Sequence, residues 1–214
     1  MEIKTVAVIG AGTMGNGIAQ VVAQAGYNVI MTDIKEEFLA KGMSTISGSL
    51  DRLIKKGTLQ EAEKTAILGR IKTSLDMKEA KNAQLVIESA PEILDLKASI
   101  FKELDDVCPP ETILASNTSA LPIGAISTAV GRKDKVIGIH FMNPVPVMKG
   151  VEVIVSTYTS EDTVETSKAF VKAIGKEPCE AKDYAGFIVS RLVDVLMNEA
   201  IQCIMDGNKP EEVD

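Results

Sequence analysis

The 214-residue sequence has one histidine, His140, and three cysteines. Cys108, Cys179 and Cys203 are scattered and odd in number, with no C-x-x-C pair and no Cys/His cluster. That excludes a disulfide framework and a structural zinc site, and no metal is expected. Reduced, buried cysteines in a cytoplasmic protein are the expectation. No apolar run reaches the ~18 residues that a membrane span needs. Met1 to Lys4 lead straight into an apolar run, so no leader segment is expected. Internal repeats, low-complexity stretches and a G-x-S-x-G nucleophile elbow are also missing. Positive charge is scarce: 23 Lys and Arg face 30 Asp and Glu, a net charge of -7. Such a balance argues against a nucleic-acid partner, and an anionic ligand would need positive charge gathered locally.

What is present begins with Val6-Ala7-Val8-Ile9, a buried-strand pattern, followed at once by Gly10-Ala11-Gly12-Thr13-Met14-Gly15. A helical pattern then runs from Asn16 to Ala25, and Gly26 stops it. A second apolar run, Val29-Ile30-Met31, ends at Asp33. Strand, G-x-G-x-x-G, helix, strand and terminal acid make a mononucleotide-binding βαβ unit. Gly10 allows the tight turn, Gly12 lets backbone approach a pyrophosphate, and Gly15 lets the helix pack closely. The helix N-terminus offers N–H groups to the phosphates. Asp33 can accept hydrogen bonds from both ribose hydroxyls and would repel a 2′-phosphate, so NAD is expected rather than NADP.

Beyond Asp33 the spacing of Phe38, Leu39, Met43, Ile46, Leu50, Leu53 and Ile54 predicts a long helix ended by Gly57. Thr58-x-x-Glu61 reads as a capping box for the next. Strands are expected at Ile71–Ser74, Leu85–Ile87, Ile113–Ala115, Val136–Ile139 and Val151–Val155, with an edge strand at Glu177–Cys179. Helices are expected at Leu94–Val107 and Asp162–Ile174. Alternating strands and helices predict a doubly wound, mostly parallel Rossmann-like sheet. A long apolar helix pattern opens at Gly186 (Leu192, Val193, Val195, Leu196, Ala200, Ile204). It is apolar on more than one face, so it should be buried between partners. We expect residues 1–183 to be the dinucleotide-binding domain and 184–214 to begin a helical domain whose remainder is absent.

Ligands in such sheets bind beyond the carboxyl ends of the strands. That rule points to Gly10, Asp33, Glu88, Ser116-Asn117-Thr118-Ser119 and His140. His140 reads either as a hydrogen-bonded structural residue or as an acid–base group. Glu152 is an acid inside an apolar strand, either exposed at an edge or buried as a partner for His140. A His–Glu pair would resolve both oddities, the carboxylate orienting one ring nitrogen and freeing the other for proton exchange. Ser116–Ser119 reads as a turn capping a short helix near Pro122, or as donors around a cofactor and a substrate oxygen. Ser49, Arg52 and Lys56 share one helical face, which is either solvated or a dock for a phosphate-bearing substrate.

Four segments, VAVIGAGTMGNGIAQ, LASNTSALPI, IGIHFMNPVPVMKGVEVI and GFIVSRLV, resemble the 3-hydroxyacyl-CoA dehydrogenase family, nearest to the bacterial 3-hydroxybutyryl-CoA dehydrogenases. The resemblance runs over essentially the whole chain. It implies reversible hydride transfer between NAD and a 3-hydroxyacyl-CoA. It implies that His140 is the acid–base residue, Glu152 its partner, and that Ser119 hydrogen-bonds the substrate's 3-oxygen. Gly10, Gly12, Thr13, Met14, Gly15, Asp33, Glu92, Lys97, Asn117, Ser119 and Asn143 become cofactor residues, and Ser49, Lys56 and Ser119 meet the acyl-CoA. A helical C-terminal domain forming a homodimer is implied too. Two positions depart from the family pattern. Ser190 replaces an asparagine that helps position the reacting oxygen, and Gly150 stands where leucine is common. The rival readings are a dehydrogenase of a free 3-hydroxy acid and a non-catalytic dinucleotide-binding protein of the same fold.

Overall fold

The computed structural model describes residues 2–214. The βαβ start is β1 (Thr5–Ile9), α1 (Thr13–Gln24) and β2 (Asn28–Thr32). The long helix is α2 (Glu36–Lys55), followed by α3 (Glu61–Gly69) and β3 (Ile71–Ser74). Then come β4 (Leu85–Glu88), α4 (Leu94–Val107), β5 (Ile113–Ser116), α5 (Ile123–Ser127) and β6 (Val136–Phe141). The chain continues through β7 (Gly150–Val155), α6 (Glu161–Ala173), β8 (Glu177–Lys182), α7 (Val189–Met205) and α8 (Pro210–Val213).

The strands form one eight-stranded sheet in the order β3-β2-β1-β4-β5-β6-β7-β8. The chain winds outward from β1 to β3, then returns to β4 on the other side of β1. This reversal opens a crevice beyond the carboxyl ends of β1 and β4. All neighbours are parallel except β6 and β7, which are antiparallel.

The inner strands β1, β4, β5 and β6 are largely apolar because helices cover both faces, while the edge strands β3 and β8 carry exposed polar residues. Side chains alternate between those faces. Val6 and Val8 pack with Ile18, Ile46 and Leu50 on one side. Ala7 and Ile9 pack with Phe101 and Leu104 on the other. Phe101 has no exposed surface, and its truncation to alanine would cost about 3–5 kcal/mol of stability.

Several boundaries differ from the sequence expectation. Helix α1 starts at Thr13, three residues before Asn16, because the glycine turn itself supplies its first turn. The capping box of α3 is Gln60 with Glu63, the Glu63 carboxylate accepting the Gln60 N–H at 2.8 Å. Thr58 instead donates its hydroxyl to the Leu53 carbonyl and closes α2. No hydroxyl of Ser116–Ser119 caps α5. The Asp183 carboxylate, 60 residues away, accepts the Ile123 and Gly124 N–H groups at 2.8 and 2.7 Å. Helix α7 begins at Val189, later than Gly186, since Gly186 and Phe187 take positive φ. None of its residues is buried; Leu192, Val195 and Leu196 are 68%, 70% and 67% exposed.

Candidate active site

The crevice at the sheet's switch point has a volume of about 1610 Å³, larger than a pocket for one drug-sized molecule. The glycine turn forms its floor. Gly10 has φ +102°, and a Cβ there would meet the Ser89 carbonyl oxygen at 2.7 Å. A Cβ on Gly15 would lie 1.9 Å from the Gly10 carbonyl oxygen, so only glycine lets α1 start this close to the turn. Nothing lies within 4 Å of the Gly12 Cβ position, which leaves backbone open to the crevice. Gly12 is also the N-cap of α1 and has no side chain to occupy the first-turn N–H groups. Thr13 and Met14 follow it along the lining. This open, N–H-rich concavity fits a pyrophosphate.

Asp33 lines the crevice just past β2. One of its oxygens accepts the Ala11 N–H at 2.7 Å, tying the acid to the glycine turn. Each carboxylate oxygen keeps a lone pair for a ribose hydroxyl.

At the far end the antiparallel register sets His140 directly opposite Glu152. Their 12-residue separation is therefore the arc of one hairpin. His140 Nδ1 and Glu152 Oε2 are 2.7 Å apart. Glu152 is 2% exposed, and its other oxygen accepts the Ile188 and Val189 N–H groups, both at 2.9 Å. The acid thus holds the ring on one side and the N-terminus of α7 on the other. Burial pushes its carboxyl up. The hydrogen bond with His140 and the two N–H groups outweigh that and hold it below the ordinary carboxylate range. His140 is 6% exposed and lines the crevice. With Nδ1 committed to Glu152, Nε2 is the nitrogen left for proton exchange.

Between these ends lie the residues after β4 and β5. Asn117 takes the Phe141 N–H on its side-chain oxygen at 2.8 Å, bracing β6 just after His140. Thr118 donates its hydroxyl to Glu92, which also accepts the Ser119 N–H at 3.0 Å. Burial raises the Glu92 carboxyl, but Thr118, the Lys97 cation and the Ser119 N–H together lower it further than burial raises it. Glu92, Asn117, Ser119 and Asn143 all line the crevice.

Lys97, expected among the cofactor residues, lies just behind the crevice lining. It is 1% exposed and lies outside the crevice lining. Its ammonium donates to Glu88 at 2.7 Å and to the Ala90 carbonyl at 3.1 Å, and lies 3.4 Å from Glu92. Glu88 is fully buried, and a buried carboxylate draws the nearest cation inward. Glu88 also accepts the Ser116 hydroxyl at 2.7 Å. Glu88 and Ser116, both flagged by the strand-end rule, are sealed together beneath the crevice, and Lys97, paired with Glu88, links them to Glu92.

The shared face of α2 does open to the crevice. Lys41, Thr45, Ser49, Arg52 and Lys56 line it as one stripe. Among the described residues, Lys41, Arg52 and Lys56 have no salt-bridge partner. Ser190, on the first turn of α7, donates its hydroxyl to the Ser119 carbonyl at 3.1 Å and is outside the lining. No metal-binding group of His, Cys, Asp or Glu exists among the described residues. Among the described residues, no helix is long and apolar enough to cross a membrane.

Residues 5–184 match the family model described as 3-hydroxyacyl-CoA dehydrogenase, NAD binding domain. A Bacillus subtilis protein named as a probable 3-hydroxybutyryl-CoA dehydrogenase is 46% identical over 215 residues, covering 100% of this chain and 75% of that one. The human mitochondrial hydroxyacyl-coenzyme A dehydrogenase is 43% identical over 218 residues, covering 98% and 69%. The crystal structure of the (S)-3-hydroxybutyryl-CoA dehydrogenase from Ralstonia eutropha superposes with a TM-score of 0.95 at 45% identity, covering 100% of this chain and 76% of that chain.

Proposed function

The chain belongs to the 3-hydroxyacyl-CoA dehydrogenase family, and we infer that it interconverts a 3-hydroxyacyl-CoA and a 3-ketoacyl-CoA with NAD, 3-hydroxybutyryl-CoA being the substrate. The observation that carries this reading is the 2.7 Å His140–Glu152 pair at the end of a crevice whose other end is the glycine turn. NAD, when bound, supplies the hydride acceptor of the oxidation. His140 Nε2 takes the hydroxyl proton in that direction and returns it in reduction. Glu152 fixes the ring through Nδ1 and stabilises the imidazolium that forms. Ser119, which lines the crevice, and Ser190, which turns from the Ser119 carbonyl, offer their hydroxyls to a substrate oxygen. The Ser49–Lys56 stripe gathers the positive charge that an acidic chain needs to hold the CoA phosphates.

Residues 184–214 are the start of a helical domain that makes a homodimer. The exposed apolar side chains of α7 are the surface it covers. A cytoplasmic location accords with the unpaired cysteines, although only Cys108 is buried as expected, Cys179 being exposed on the edge strand β8 and Cys203 half-buried on the uncovered helix α7.

The test is nicotinamide absorbance with acetoacetyl-CoA against free acetoacetate, using NADH and NADPH in turn. We expect turnover with acetoacetyl-CoA and NADH. Comparable kcat/KM on free acetoacetate would overturn the CoA assignment. NADH binding without turnover on either would leave the non-catalytic reading.

A further inference from the structure

One buried cation is not used by this chemistry. Lys176 is 8% exposed and, among the described residues, has no carboxylate partner. Its ammonium donates to the Val145 carbonyl at 2.6 Å and the Met148 carbonyl at 2.7 Å. Burial pushes its pKa down. An isolated buried ammonium is costly, so its two carbonyl partners must be held in place for the site to persist.

Those carbonyls belong to the segment between β6 and β7. It begins two residues after His140, and Met142 to Val147 line the crevice. Few other bonds hold it. The Val147 and Met148 N–H groups turn back onto the Pro144 carbonyl at 2.9 and 3.0 Å. On the crevice side it presses on α1: a Cβ at Gly17 would meet the Val145 Cβ at 2.9 Å. Lys176 itself is rigidly based. Gly175 ends α6 with φ +75°, and the Lys176 N–H returns to the Val171 carbonyl at 3.1 Å, a Schellman closure. The Glu177 N–H then bonds the Lys149 carbonyl at 2.9 Å.

We propose that Lys176 is a positioning residue for the reaction, its ammonium pinning the Asn143–Val147 wall against α1. The wall borders the His140 end of the crevice, where the reactive half of the cofactor and the acyl group meet. The adenosine half rests on the glycine turn and Asp33, which Lys176 does not touch. The proposal rests on the NAD reading of the crevice, and it separates from that reading by comparing two ligands.

The experiment measures binding of NADH by fluorescence and of ADP-ribose by calorimetry to the full chain and to Lys176→Met, which keeps the length and loses the donors. We expect NADH affinity to fall about tenfold while ADP-ribose affinity stays within twofold. Gly17→Ala, which pushes Val145 from the other side, should give the same split and serves if Lys176→Met does not fold. Equal weakening of both ligands, or no change in either, overturns the pin. Failure of the unsubstituted chain to bind either ligand would instead overturn the cofactor reading.

Discussion

Two buried carboxylates lie in one sheet with opposite fates. Glu88, at the end of β4, meets Lys97 and Ser116 and is sealed, with no exposed surface. Glu152, in β7, meets His140 and two backbone N–H groups, and its partner opens onto the crevice. Both are deeply buried and both are fully bonded. The difference lies in the partner. The Lys97 ammonium is spent on Glu88 and the Ala90 carbonyl beneath the crevice, so the first pair is closed. The His140 ring gives one nitrogen to Glu152 and has a second free at the crevice. Burial alone therefore does not mark chemistry; access and a partner with a free nitrogen do.

The comparison breaks most sharply at His140. His140→Ala should lower turnover by about 10²–10⁴-fold while NADH affinity, read by fluorescence, stays nearly unchanged. Joint loss of binding and turnover would make His140 a structural residue like Lys97. Removing the sealed pair's cation should do the reverse. Lys97→Met leaves a buried carboxylate unpaired and should cost about 3–5 kcal/mol of unfolding free energy in urea titration. Stability unchanged within 1 kcal/mol, with turnover lost, would move Lys97 into the cofactor site.

Smaller effects sharpen the contrast. Ser190→Asn should raise kcat by roughly tenfold, about 1.4 kcal/mol of barrier, by restoring a longer donor to the reacting oxygen. An unchanged or lower kcat with acetoacetyl-CoA would show that serine suffices. The pH dependence is the mildest. Because the Glu152 carboxyl is held below its ordinary range, its stabilisation is complete above the unfolded-state value of about 4.3. It fades as pH falls through the lower folded value. The stability advantage over Glu152→Gln, from urea midpoints, should therefore shrink below about pH 4. An advantage constant down to pH 3 would mean that the charge contributes nothing.

The βαβ start, the strand order class and the glycine turn were legible from local pattern. A period of two or 3.6 and a fixed glycine spacing are properties of contiguous residues. The His140–Glu152 pair was legible for the same reason, since one hairpin joins them. The partners of Lys97 and Asp183 were not legible because packing sets them. The cap on α5 comes from 60 residues away, and no local signal marks it. The capping box of α3 slipped by two residues because Thr58 found a partner in the preceding helix. Lys176 carried no signal at all, as a lysine after a helix-ending glycine reads as surface.

The order of apolar and polar residues along the chain was enough to dictate which segments are strands and helices, and that a dinucleotide crevice opens beyond β1. Periodicity and turn chemistry act over a few residues and need no folded context. Which cations enter the crevice and which are drawn beneath it was decided only on folding. There each buried carboxylate and carbonyl takes the nearest donor, since leaving it unpaired out of water costs more than a surface contact can return.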